Sequence, residues 1–251
     1  MYILPTRITE LDEMLNTGFV IPGNFGDYGY TILVTGESGT GKTILGLQMA
    51  ANYAEAHPNE SAVHLSCPFF ENDIRDHLTR YFTIFGFMNK AIVQSVSEAQ
   101  KISDDNEALP GHQGGLVLAG NFVGGEINDF ETYLRGELNG HEELSEKPGF
   151  YVVDSLDQLL FKNNGSISNQ QQRWQKAIQP FYNFKKVCVL ITENYGRELG
   201  RIVDAVIELS ITHEGLEAKR HVEVVKARYQ SHYMGKKPFD INAIAGGIVI
   251  S

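Results

Sequence analysis

The fold is decided by the stretch Tyr30-Thr31-Ile32-Leu33-Val34-Thr35-Gly36-Glu37-Ser38-Gly39-Thr40-Gly41-Lys42-Thr43. Its first six residues are almost continuously apolar, which is typical of a strand buried on both faces of a parallel sheet. Its last eight fit the pattern Gly, four residues of any type, Gly, Lys, Thr, which forms a phosphate-binding loop. The apolar spacing of 44–53 predicts a helix directly after it. Strand, loop and helix in this order predict a nucleoside-triphosphate site.

Each residue type in this loop has a physical role. Glycines at 36, 39 and 41 let backbone amides face one anion without side chains in the way, and the predicted helix adds its positive end. We expect Lys42 to reach the β- and γ-phosphates and the Thr43 hydroxyl to ligate Mg²⁺. ATP with Mg²⁺ is the expected ligand. The predicted nucleotide-binding residues are Gly36, Glu37, Ser38, Gly39, Thr40, Gly41, Lys42 and Thr43.

Apolar runs alternate with helical spacing along most of the chain. Further buried strands are predicted at 61–67, 150–154 and 187–192, and helices at 9–15, 73–85 and 170–184. This alternation predicts an α/β fold with a mostly parallel central sheet flanked by helices. The segments 205–212 and 217–227 predict a C-terminal antiparallel hairpin, and 248–250 a last short strand.

The length of 251 residues suits a single domain spanning 1–251. Residues 100–126 differ from the rest, because they combine Asp104-Asp105 with several glycine pairs. We therefore predict an inserted or mobile loop over 100–126.

The predicted strand at 150–154 ends in an acid, Asp154. Such a strand has the form of a Walker B segment, whose Asp holds magnesium through water. Many buried strands end in Asp, so the weight of this assignment comes from the phosphate loop. Thr43 and Asp154 are the predicted metal-site residues.

Composition excludes several classes of protein. The formal net charge is −10 and no stretch concentrates Lys and Arg, which argues against nucleic acid as the main partner. No apolar run approaches the roughly 18 residues of a membrane span, and the first residues do not have the pattern of a secretory signal. The sequence therefore predicts a soluble, cytoplasmic protein that does not enter a membrane.

Three blocks of the chain together resemble the KaiC-like branch of the RecA-type ATPases. They are 6–15 leading into the phosphate loop, 152–156, and the C-terminal set 203–208, 224–228 and 232–239. The resemblance covers nearly the whole chain and implies a RecA-like P-loop fold. It also implies a homo-oligomer, a hexameric ring with ATP at each subunit interface.

The resemblance further implies that Lys226 and Arg228 act in trans on the nucleotide of the neighbouring subunit, with His232 near that nucleotide. Two residues apart on a strand, Lys226 and Arg228 point to one face, and Val225 and Ala227 to the other. From the residues alone, a solvated strand face fits the pair better than a binding site does.

The chain departs from the family at two places. The family carries adjacent glutamates after the strand matching 63–67, one of which orients the attacking water, whereas this chain has Pro68-Phe69. Glu71 is the substitute candidate, with a solvated acid opening the next helix as the alternative. Hydrolysis is therefore expected to be slow or absent. Met234 stands where the family has a lysine, which leaves base specificity open.

Three functions fit these observations. The first is a slow or switch-like ATPase whose nucleotide state controls ring assembly or an unidentified protein partner. The second is a non-hydrolysing protein that uses ATP for assembly and interaction. The third is a DNA-recombination accessory protein, which would need basic loops facing the ring axis, and the candidate stretch 161–168 offers only Lys162.

Overall fold

The structure is a computed structural model. It describes residues 1–24, 29–58, 60–66, 93–95, 116–120, 148–157, 175, 178–179, 182, 185–215, 217–242 and 247–251.

Twelve strands and three helices are formed by the described residues. The strands are β1 Tyr2–Leu4, β2 Phe19–Ile21, β3 Tyr30–Gly36, β4 Ser61–Ser66, β5 Val93–Ser95, β6 Leu116–Gly120, β7 Pro148–Asp154, β8 Val187–Thr192, β9 Ala205–Glu214, β10 Glu217–Ala227, β11 Lys236–Asn242 and β12 Gly247–Ile250. The helices are α1 Thr9–Met14, α2 Lys42–Ala56 and α3 Gly196–Leu199.

Ten of these strands form one sheet in the order β12-β11-β10-β9-β3-β8-β7-β4-β6-β5. Neighbours from β9 through β5 are parallel, whereas β9, β10, β11 and β12 pair antiparallel in succession. Strands β1 and β2 form a separate antiparallel pair. The predicted mostly parallel sheet and the C-terminal antiparallel hairpin are both confirmed.

Strand β3 lies at the centre of the fold and is buried on both faces. Ile32 and Val34 belong to the apolar cluster that contains the buried side of α2. Leu33 belongs to a second cluster on the other face, with Val153 and Leu190. The continuous apolarity of β3 is thus explained, because every one of its side chains meets a packed layer.

The sheet order places three strand ends at the site. β8 lies between β3, which leads into the phosphate loop, and β7, which ends in Asp154. Since parallel strands share one direction, the ends of β3, β8 and β7 lie side by side at the carboxyl edge of the sheet. The residues that follow them form the candidate site.

The prediction of a loop over 100–126 needs one correction. Leu116–Gly120 form β6, which pairs in parallel with both β4 and β5 inside the central sheet. The glycine pairs on either side of this apolar strand led to the prediction of a loop. The other residues of 100–126, like most of the predicted helices 73–85 and 170–184, lie outside the described residues.

Strand β11 was not predicted from the sequence. It begins with two lysines and contains Pro238, and proline is disfavoured in strand interiors. It nevertheless pairs with β10, where Pro238 lies opposite His221. No helix among the described residues has the length and apolarity required to cross a bilayer.

Candidate functional site

The phosphate loop follows β3 and depends on glycine at two positions. Gly36 has φ +148°, and a Cβ there would come within 2.1 Å of the Leu209 carbonyl oxygen of the adjacent β9. Gly39 has φ +78° with no atom within 4 Å of the Cβ position. The loop is therefore held close to β9 at Gly36 and is open to solvent at Gly39.

Helix α2 begins at Lys42 in a form suited to an anion. Its N-cap, Gly41, has φ +103° and makes no side-chain capping hydrogen bond, and the first turn contains no acidic residue. The Glu37 carbonyl oxygen accepts hydrogen bonds from Thr40 Oγ1 and from Lys42 Nζ, both at 2.8 Å. The positive end of a 15-residue helix thus faces the loop, and the first turn of the helix itself contains no acid.

Thr43 and Asp154, the two predicted metal-site residues, lie together. The Thr43 hydroxyl hydrogen-bonds the Asp154 carboxylate, and burial raises the pKa of Asp154 to about 6. The hydrogen bond and the charge of Lys42 oppose this rise, whereas Asp157 and Glu193 add to it.

The Thr43 and Asp154 oxygens fit Mg²⁺. A hydroxyl and a buried carboxylate are hard oxygen donors, and Mg²⁺ is commonly held by one or two such groups with phosphates and water. A cation would also offset the desolvation of Asp154. The described residues contain no group of three or more His, Cys, Asp or Glu placed to hold a metal by themselves. The site therefore suits a metal that arrives with the nucleotide.

His64 of β4 contacts Asp154, and the sequence analysis did not predict a role for it. Its Nε2 is 3.8 Å from Asp154 Oδ2, and its side chain is only 1% exposed. Burial lowers the pKa of His64 to about 4. The imidazole is therefore neutral at pH 7, and the contact is not an ion pair at that pH.

Asp157 fixes the turn after β8. Its carboxylate accepts hydrogen bonds from the backbone amide of Glu193 at 2.9 Å, from the backbone amide of Asn194 at 3.0 Å and from Asn194 Nδ2 at 3.0 Å. Asp157 is buried and lies three residues after Asp154. The ends of β7 and β8 are thus joined by one carboxylate.

We expect Asp157→Ala to lower the free energy of unfolding by about 2 kcal/mol, because two backbone amides lose their acceptor in a partly buried turn. Urea denaturation of wild type and variant measures the difference. Asp157→Asn keeps one carboxamide oxygen and is expected to lie between them. A loss below about 0.5 kcal/mol, the usual size for a neutral surface change, would contradict this role.

Glu193, the first residue after β8, forms an ion pair with the lysine of the phosphate loop. Its Oε1 is 3.2 Å from Lys42 Nζ. The Lys42 side chain is 7% exposed and that of Glu193 is 42% exposed. Nothing in the sequence pointed to this residue except its place after a buried strand.

Lys226 and Arg228 lie against the segment 200–204 of their own chain. Lys226 Nζ donates to the carbonyl oxygens of Gly200 at 2.9 Å and Val203 at 2.5 Å. Arg228 Nη1 is 3.3 Å from the buried Asp204 carboxylate. Both cations therefore face one segment, and the anion beside them is Asp204.

The predicted alternation around this pair is wrong at Val225. A β-bulge shifts the pairing with β9 between Val224 and Lys226. Val225 is 47% exposed whereas Ala227 is buried, so the two do not share a face. A bulge inserts one residue and breaks the period of two, which sequence alternation cannot show.

The remaining predicted site residues are placed as follows. His232 lies between Ser231, whose carbonyl oxygen accepts a bond from Asn16, and Tyr233, whose backbone amide donates to Met14. Within the described part of the chain, His232 Nε2 is buried with no hydrogen-bond partner. Pro68-Phe69 and Glu71 lie outside the described residues, so the catalytic assignment of Glu71 stays a prediction.

Comparisons with known proteins were made in sequence and in structure. Residues 4–96 match the family model described as "ATPase: KaiC". Among solved structures, the chain is similar to the KaiC-like protein PH0186 from the hyperthermophilic archaeon Pyrococcus horikoshii OT3, with a TM-score of 0.71 and 22% sequence identity. That match covers 100% of this chain and 99% of the other. A search of curated proteins found no match.

These findings confirm the resemblance on which the RecA-like fold was predicted. The chain is similar to KaiC-type ATPases in sequence over residues 4–96 and has the fold of a KaiC-like protein over its whole length.

Proposed function

We propose that the chain is a slow or switch-like ATPase that binds MgATP at the subunit interfaces of a homo-oligomeric ring. The observation that carries this proposal is the phosphate loop between β3 and α2. There Lys42, a glycine N-cap and the positive end of a long helix converge at the carboxyl edge of the sheet. This is the arrangement that binds the phosphates of a nucleotide.

The metal would be held by Thr43 and Asp154, and it would neutralise charge on the phosphates. Their mutual hydrogen bond supports this assignment, because both oxygens already converge at one point. Asp157 supports it indirectly by fixing the position where β7 ends relative to β8. Such pre-organisation lowers the cost of assembling the site.

The position of Lys226 and Arg228 supports a role in trans. Ala227 pairs with Ala205, and Ala205 pairs with Ile32 near the start of β3. The phosphate loop follows the other end of β3, at Gly36. At a rise of ~3.3 Å per residue, that end is about 13 Å from Ile32. The pair thus lies at the opposite end of β3 from its own phosphate loop, which favours contact with a nucleotide of another subunit over contact with its own.

Two other functions remain as alternatives. A protein that binds ATP without hydrolysis would use the same loop. The presence of Pro68-Phe69 in place of the family's glutamates is consistent with this alternative. A DNA-recombination accessory protein is opposed by the net charge of −10. Phosphate release, with Asp154→Asn as the inactive control, separates the first alternative from an ATPase.

Size measurement at several ATP concentrations tests the interface. We expect ATP to promote assembly of the wild type, and Lys226→Ala combined with Arg228→Ala to weaken that dependence. Removing two cations from a neighbour's phosphates removes the charge-assisted contacts that link ATP to assembly. Light scattering coupled to size-exclusion chromatography reads the mass directly.

Lys219→Ala combined with Lys236→Ala is the matched control, since both lysines form exposed ion pairs elsewhere on β10 and β11. Circular dichroism checks that each variant is folded. The role in trans is refuted if the wild type is monomeric at every ATP concentration, or if the Lys226 and Arg228 variant responds to ATP as the wild type does.

A further inference from the structure

Glu193 lies beside Lys42, the residue expected to contact a bound triphosphate. It follows β8, the strand between the phosphate-loop strand and the strand that ends in Asp154. Its carboxylate is 3.2 Å from Lys42 Nζ, the group expected to contact the β- and γ-phosphates. Among the described residues, Glu193 is the acid that pairs with this lysine.

The backbone of Glu193 is held from two sides. Its amide donates to the buried Asp157, as does the amide of the next residue. On the other side, Gly196 of α3 packs so closely on β3 that a Cβ there would lie 2.3 Å from Thr35 Oγ1. The carboxylate is therefore carried by a fixed turn, while the side chain itself remains 42% exposed and accessible to water.

A role as a simple counter-ion does not account for this placement. When Lys42 pairs with bound phosphates, the Glu193 carboxylate lies a few ångströms from an anionic ligand. Like charges at that distance repel and oppose binding. The same carboxylate raises the pKa of Asp154, so its charge is felt at the expected metal position as well. An acid at this point weakens nucleotide binding, and a contribution to a later step would account for its presence.

We propose that Glu193 orients the attacking water for ATP hydrolysis, in place of the glutamates that Pro68-Phe69 replace; this rests on the proposed function. The water oxygen bonds to the γ-phosphorus, and the bond from that phosphorus to the bridging oxygen breaks. The electron pair stays on the bridging oxygen of ADP. A water proton passes to the Glu193 carboxylate and then to solvent, leaving inorganic phosphate.

The test compares Glu193→Gln, Glu71→Gln and Glu198→Gln. Glu198 is a matched control because it is an acid of α3, one turn further along the same segment. Turnover is measured as phosphate release, and nucleotide binding separately by calorimetry with MgADP and a non-hydrolysable ATP analogue. We expect Glu193→Gln to lower kcat by about 10²- to 10⁴-fold, as for loss of a general base.

Binding distinguishes this role from a structural one. The affinity of Glu193→Gln for the ATP analogue is expected to be equal to or tighter than wild type, because one repelling charge is removed. Glu198→Gln is expected to keep wild-type kcat. Glu193→Asp shortens the side chain by one methylene and is expected to lower kcat at unchanged affinity. This result would show that turnover depends on the position of the carboxylate.

Several results would overturn the inference. Turnover of Glu193→Gln within about threefold of wild type would do so, as would loss of turnover in Glu71→Gln instead, since a general base contributes at least about 10²-fold. A wild type that binds the analogue but releases no phosphate would also refute it while leaving ATP binding intact. Absence of nucleotide binding in the wild type would refute the proposed function itself.

Discussion

Lys42→Ala is expected to abolish the stabilisation that MgATP gives the folded protein. Lys42 Nζ is held at the loop by the Glu37 carbonyl and by Glu193, and its side chain is 7% exposed. It places one full charge against the triphosphate, and such charge-assisted contacts are the strong ones in a phosphate site. Without it, the loop retains only neutral donors.

The measurement is the free energy of unfolding with and without nucleotide. MgATP at about a hundredfold excess over its dissociation constant is expected to stabilise the wild type by roughly 2.7 kcal/mol. Lys42→Ala is expected to show almost none of this gain at the same concentration. Lys219→Ala, which changes an exposed lysine of the hairpin, is the control and is expected to keep it. An unchanged melting temperature for wild type with MgATP would contradict nucleotide binding altogether.

Asp204→Ala is expected to destabilise the fold by about 3 kcal/mol, because buried polar groups lose an ionised acceptor. The Asp204 side chain is 4% exposed and pairs with Arg228. It accepts hydrogen bonds from the Thr31 amide at 2.9 Å, the Thr31 hydroxyl at 3.0 Å and the Tyr182 hydroxyl at 2.6 Å. This network joins β3, β9 and the end of β10.

Urea denaturation measures the loss, and Asp240→Ala, at an exposed position of β11, is the control expected to change stability little. Asp204→Asn keeps an acceptor oxygen but loses the charge opposite Arg228, so we expect an intermediate value. The same variants tested for assembly show whether Asp204 also positions Arg228. A loss equal to that of Asp240→Ala would contradict the network.

The phosphate loop and the buried strands could be predicted because their patterns are local. The run 30–43 contains both its apolar strand and its glycines, and strand 187–192 was predicted with the bounds that the structure shows. Thr43 and Asp154 were predicted from motif and strand end, and the structure brings them into contact. In each case the physical cause lies within a few consecutive residues.

The contacts that complete the site could not be predicted, because they join residues far apart in the chain. Glu193 meets Lys42 across 151 positions, and only the sheet order puts them together. The contact between Arg228 and Asp204, 24 positions apart, was also not predicted. The bulge at Val225 could not be predicted from the alternation of side chains along the strand either, because it arises from the pairing of β10 with β9.

The central position of β3 affects how the chain folds during its synthesis. This strand, near the start of the chain, pairs with β8 and β9, which are formed by residues beyond 186. Contacts of such large sequence separation are slow to form, and synthesis proceeds from the N-terminus. A chain still being translated therefore has its glycine loop before it has the two strands that hold it. We expect nucleotide to assist folding only after β8 and β9 have been synthesised.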